Sequence, residues 1–180
     1  MYRFNGEDAR LNRELDALAM ILEAAKGLEH RWQFRIVGHS GDADAIDLFT
    51  DAYASPRGAQ RAVGEFPRSD AERLRVLERV VAHTQFCDSG DNTLPAIVRA
   101  SSELAQPPPG SGAGGGLLIA ISDANLRRYG IPVASLASAI RARASQGVDA
   151  HFVAIAQFGK EGEAIAAALP KGHGHVCSDP

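Results

Sequence analysis

Apolar residues recur every three or four positions at Leu11, Leu15, Leu18, Leu22 and Ala25. That stripe predicts an amphipathic helix over 7–28, closed near Gly27. Trp32, Phe34 and Ile36 then alternate with polar neighbours up to Gly38 and predict a strand, with a short second one at Ala45–Thr50. Ser69 and Glu72 have capping-box spacing just ahead of Leu74, Leu77 and Val81, which predicts a second long helix. Pro95 suits the first turn of a helix running to about Ala105. Beyond the Pro/Gly-rich connector 106–116, Leu117–Ser122 reads as a buried strand and 132–143 as a helix with Val133, Leu136, Ala137 and Ile140 inward. Val148–Ile155 reads as a further strand, Gly162–Leu169 as a short helix, and His173–Cys177 as a last strand.

Helices thus alternate with strands, and parallel strands need crossovers of that size. The pattern predicts an α/β sandwich with a mostly parallel sheet. A chain of 180 residues with 45% hydrophobic content supplies the core of one domain. The chain opens on a helix and closes on a strand, so the layer design looks cut at both ends.

Charge narrows the function classes. The net charge is −3 and the basic residues are scattered, which argues against a nucleic-acid partner. No apolar run, the Leu117–Ile121 segment included, is long enough to span a bilayer, and the N-terminus carries charges where a secretory signal has its apolar core. The two cysteines, Cys87 and Cys177, lie far apart and form no C-x-x-C pair. Neither a disulfide scaffold nor a zinc site is expected, and a reducing interior is the natural compartment.

In open α/β sheets, ligands gather at the carboxyl ends of strands. Three polar groups fall there: Asp123, the run His39-Ser40-Gly41-Asp42, and Ser89-Gly90-Asp91-Asn92-Thr93 leading into a helix. A threonine hydroxyl and an aspartate carboxylate suit a hard cation, Mg2+ above all. Asp123 serves equally as a helix cap or Asx turn, and Thr93 before Pro95 as an ordinary N-cap. Two ligands do not fill an octahedral shell.

The strand-plus-acid at 117–123 resembles a Walker B segment, yet no G-x-x-x-x-G-K-[ST] occurs, and Gly159-Lys160 is followed by Glu161. ATP hydrolysis by this chain is therefore not expected. His83 and Cys87, four apart, would share a helix face as a nucleophile pair if the helix ran that far; a small buried cysteine beside a surface histidine is the plainer account. The His-Gly-His at 173–175 has a metal reading and a polar-turn reading, and Arg127-Arg128 reads as a solvated pair.

Four blocks carry a more specific signal: "MYRFNG" at 1–6, "IVGHSGD" at 36–42, "QFCDSGDNT" at 85–93 and "ISDANLRRYGI" at 121–131. Together, and in this order, they resemble the C-terminal von Willebrand factor A domains of large AAA-ATPases over nearly the whole chain. The segments near 51–66 and 106–116 are less family-like.

The resemblance implies a Rossmann-like three-layer sandwich with a metal-ion-dependent adhesion site. Its Mg2+ ligands would be Thr93 from a loop and Asp123 from a strand end, with Ser122, Asn125, Ser40 and Asp91 around them. An Asp-x-Ser-x-Ser motif on the first strand of the family fold directly precedes the "MYRFNG" block. The chain is accordingly expected to be a fragment lacking that central strand and the last helix, with exposed inner strand edges and Mg2+ binding that is weak or absent. The implied role is a non-enzymatic protein-interaction module. A partner's carboxylate would complete the metal shell, and the module would work with the AAA-ATPase of its parent protein. The alternative is a non-binding remnant of the same fold. Residence would be mitochondrial in a eukaryote and cytoplasmic in a bacterium.

Overall fold

The computed structural model describes residues 5–28, 35–49, 67–88, 90–106, 115–123, 125–155 and 160–177. Trp32, Phe34, Thr50, Ser89, the stretch 51–66, most of the 106–116 connector and Gly159 lie outside the described residues. The chain gathers into two compact units: Met1–Gly38 with Ala45–Cys87, and His39–Asp44 with Asp88–Pro180.

In the first unit, the helix expected over 7–28 is two pieces, α1 (Asn5–Asp8) and α2 (Arg10–Ala24). The break falls at Ala9, whose φ of 52° no alanine favours and no sequence signal announces. Leu11, Leu18 and Leu22 are buried as the stripe requires. β1 (Ile36–Gly38) and β2 (Ile46–Phe49) pair antiparallel, with Gly38 opposite Ile46. The mostly parallel sheet therefore does not extend to this pair, because the short 39–45 connection is far below the length of a crossover.

Helix α3 (Asp70–Phe86) opens on a complete capping box: the Ser69 hydroxyl accepts from the Glu72 amide at 3.2 Å, and the Glu72 carboxylate accepts from the Ser69 amide at 3.2 Å. Its buried face is Arg73, Val76 and Val80, whereas Leu74 is 57% exposed. Of the expected stripe, Leu77 packs on the core from a half-buried position, while the fully buried residues lie one position earlier, against Leu18, Leu22, Leu48 and Phe49.

The buried Arg73 is anchored by the Pro67 carbonyl at 3.1 Å, by Asp70, and by Glu23 of α2 at 3.4 Å. Arg73, and then Lys26, hold the Asp70 carboxyl below the ordinary carboxylate range. Arg73→Ala should lower stability at pH 7 by about 2 kcal/mol, the usual scale for hydrogen bonds to a charged group. Because the Asp70 pKa is depressed on folding, its share is present above the unfolded value and lost as pH falls through the folded one. Urea denaturation at pH 7 and at acid pH checks both points: the gap between wild type and variant should narrow in acid.

The second unit holds a three-stranded parallel sheet in the order β3 (Gly116–Ser122), β4 (Val148–Ile155), β5 (Gly174–Cys177). Helices α4 (Thr93–Leu104), α5 (Val133–Ala144) and α6 (Lys160–Ala168) pack against one face of it. Ile97, Leu136, Ile140, Ile165 and Leu169 meet Ala150, Phe152 and Ala154 there. The inward positions expected for α5 are borne out, with Val133 at the margin of the core.

β3 is not the buried strand its apolar run suggests. Leu118 and Ala120 pack on the core, but Leu117 is 55% and Ile119 38% exposed on the other face. Among the described residues β3 has β4 as its single strand neighbour. No helix among them is long and apolar enough to cross a membrane. Alternating helices and parallel strands make this an α/β, Rossmann-like fold.

Candidate functional site at the strand ends

The second unit brings together the loop 39–44, the turn before α4 and the carboxyl end of β3. Ser40 is 2% exposed, and its hydroxyl accepts from the Asp42 amide at 3.3 Å while its own amide donates to the Ala43 carbonyl at 3.0 Å. The loop is thereby curled on itself.

Asn92 ties it to the helix. Its amide nitrogen donates to the Ser40 carbonyl at 2.6 Å and lies 3.5 Å from the Gly41 carbonyl. The Asp88 amide donates to the Asp42 carboxylate at 3.4 Å, and Arg99 of α4 reaches the Asp44 carboxylate at 3.1 Å. Glu103 first, and Asp44 next, raise the Arg99 pKa and keep that cation charged.

Gly90 makes the approach of the two segments possible. Its φ is 156°, and a Cβ built there would run into the backbone of Gly41.

Thr93 is the first residue of α4 and not its N-cap. Asn92 holds the cap position, while the Asp91 carboxylate accepts the Thr93 amide at 2.7 Å in an Asx turn. The Thr93 hydroxyl is therefore not a cap. It points inward with the side chain 1% exposed, 3.5 Å from the hydroxyl of Ser122, itself 3% exposed.

Ser40, Asp91, Thr93 and Ser122 thus belong to one linked set. Asp123 follows Ser122 out of β3 and is half-buried. Asn125 caps the 3-10 turn Leu126–Tyr129 by position, without a side-chain bond, so the cap proposed for Asp123 falls to Asn125.

Arg99 is the member that sequence reasoning passed over, and Gly90 and Asn92 had no role there beyond belonging to the turn. An Asn at the helix entry after a Gly-Asp turn was the available signal, but its bond partner lies 52 positions away.

The suggested pair of His83 and Cys87 does not sit on one helix face. α3 stops at Phe86, and Cys87 has extended backbone with its thiol 3.9 Å from the Thr84 carbonyl. The His83 ring lies against Gly38, where an added Cβ would sit 2.5 Å from Nε2.

The histidines at 173 and 175 are not a polar turn alone. His173 and His175 line up beside His151 of β4, with ring centroids 5.1 Å and 5.4 Å from it. Asp149 Oδ1 lies 3.2 Å from His151 Nε2 and 3.5 Å from His173 Nδ1. Nothing near His151 in the sequence marks it.

Among known proteins, the chain is similar to von Willebrand factor A domain-containing protein 8 of Mus musculus. The two are 33% identical over 179 residues, which is 99% of this chain and 8% of that protein. No protein-family model and no solved structure matches. With similarity running along virtually its whole length, on alternating helices and parallel strands, the chain is a von Willebrand factor A-like domain.

Proposed function

We propose that this chain is a protein-interaction module that engages its partner at the strand-end loops around Thr93 and Asp123, with Mg2+ as the bridging ion. One observation carries this reading: a buried threonine hydroxyl that caps no helix faces a serine hydroxyl at the carboxyl end of a parallel strand.

The donors fit the ion in kind. Hydroxyl and carboxylate oxygens are what Mg2+ selects, and the Thr93 hydroxyl, at 3.5 Å from Ser122, retains acceptor capacity. Thr93 and Asp123 would hold the ion, and Mg2+ would supply a position for a carboxylate of the partner. Ser122, Ser40 and Asp91 would keep the two ligands in place, and Asn125 borders them. The role is binding and not catalysis. Coupling to an AAA-ATPase, which the sequence resemblance implies, extends the same proposal.

Two protein ligands leave most of an octahedral shell to water, which favours weak binding. Calorimetric titration of the 180-residue chain with Mg2+ is expected to give a dissociation constant of about millimolar or weaker. The response should vanish in Thr93→Ala and Asp123→Asn. A heat unchanged by either substitution would place the ion elsewhere. Tight binding abolished by both would overturn the incomplete shell. No heat at any concentration would favour a non-binding remnant of the fold, a reading the two-ligand count itself supports.

A further inference from the structure

The face of the parallel sheet opposite the helices carries an arrangement that the Mg2+ reading leaves unused. Along β4 the side chains alternate: Ala150, Phe152 and Ala154 enter the core, while Asp149 and His151 project from the other face. β5 is locked beside β4 in parallel register, with Phe152 opposite Gly174 and Val153 opposite His175. The Phe152 amide donates to the His173 carbonyl at 2.8 Å, which fixes His173 next to His151. Strands β4 and β5, with the turn residue His173 that leads into β5, thereby place one carboxylate and three imidazoles on one patch.

We propose that Asp149, His151 and His173 form a transition-metal site, with Zn2+ the ion that fits best. Their ligand atoms all lie within 4.8 Å of one another. The separations from Asp149 Oδ1, 3.2 Å to His151 Nε2 and 3.5 Å to His173 Nδ1, match the edges of a zinc tetrahedron. Zinc bonds of about 2.0–2.1 Å put such ligands about 3.3 Å apart.

Imidazole nitrogens beside one carboxylate select zinc, nickel or copper over Mg2+, whose preferred ligands are all oxygen. The site needs neither cysteine, which is why cysteine spacing gave no sign of it.

His175 orients the first ligand. Its Nε2 lies 3.1 Å from His151 Nδ1. When His151 binds through Nε2, its proton sits on Nδ1 and is donated to His175, which fixes ring and tautomer. His173 Nδ1 lies 3.0 Å from the Ala150 carbonyl and, as the N–H tautomer, donates to it. Ligation gives up that bond: the proton moves to Nε2, the imidazole stays neutral, and the Nδ1 lone pair turns from the carbonyl to the ion. Asp149 is 60% exposed at its side chain, which leaves the fourth coordination position to solvent. Three protein ligands plus water is the pattern of an exchangeable zinc centre and not of a closed structural one.

The test is titration of the full chain with Zn2+ alone by calorimetry and with Co2+ alone by visible absorption. One equivalent should bind, the cobalt form should show the bands of four-coordinate cobalt, and a large excess of Mg2+ should displace neither. Asp149→Asn and His151→Gln should each weaken binding at least tenfold, and His175→Ala about tenfold through the lost orienting bond. All three positions lie on the sheet face away from the core, so circular dichroism of the metal-free variants should match wild type. Absence of stoichiometric uptake would overturn the site. So would uptake undiminished in Asp149→Asn and His151→Gln. Displacement by Mg2+ would equally refute it, while leaving the Thr93 and Asp123 site untouched.

Discussion

Phe152→Ala should cost about 4 kcal/mol, the upper part of the range for truncating a buried aromatic. Phe152 is fully buried on the middle strand of the parallel sheet, with Ile97, Leu136, Ile140, Ile165 and Leu169 in the same core. The ladders to β3 and β5 pin its backbone from both sides, so the strand cannot sink into the void. Helices α4, α5 and α6 all rest on the same cluster, and one that collapsed inward would leave the others. Small domains have a total stability of roughly 5–15 kcal/mol, so at least about a quarter of the margin would go. Urea denaturation followed by circular dichroism measures it. Leu117→Ala, one strand over but 55% exposed, should stay within about 0.5 kcal/mol of wild type. If the two substitutions cost the same, the one-sided packing of the sheet is wrong.

Gly90→Ala is the second large effect, and it acts on the loops. At φ 156° the alanine is strained, and its Cβ has no room beside the Gly41 backbone. Either the 39–44 loop moves off or the turn before α4 does, and the Asn92 bond to the Ser40 carbonyl breaks with it. The expected cost is about 3 kcal/mol from strain and the lost bond together. A thermal melt should show it as a drop of about 6–12 °C for a chain this size. Hydrogen exchange would localise it: amides of 39–44 and of the first turn of α4 should lose protection, while those of β4 keep theirs. Equal loss in β4 would mean the substitution unfolds the whole unit and says nothing of the loops.

What the sequence disclosed depended on the distance between the groups involved. The capping box at Ser69 and Glu72 is written within four residues, and both of its bonds form. The inward face of α5 follows from helical spacing alone, and Leu136, Ala137 and Ile140 are buried as expected.

Leu74 faces solvent because the position of the stripe on α3 is decided by α2 and β2, which the α3 segment does not encode. The apolar run of β3 suggested burial on both faces, since an unbroken run carries no alternation from which one open side can be read. Ala9 interrupts the first helix in a conformation for which alanine gives no cue.

At the strand ends, the hydroxyls of Thr93 and Ser122 face each other at 3.5 Å across a sequence separation of 29 that no local pattern spans. The histidine group was half visible. His173 and His175 stand out as a pair, but Asp149 and His151 sit 24 residues from their partners, and only parallel pairing of β4 with β5 joins them.

The alternation along β4 also bears on how the chain finds its fold. Slipping β4 by one residue against its neighbours would preserve the number of parallel ladder bonds but exchange its two faces. Asp149 and His151 would then be driven among Leu136, Ile140 and Ile165, and Phe152 would turn outward. A desolvated carboxylate makes that frame far costlier than the native one. The polar residues of β4 therefore act as a proofreading mark: a misaligned strand is rejected during assembly, before any ligand is present.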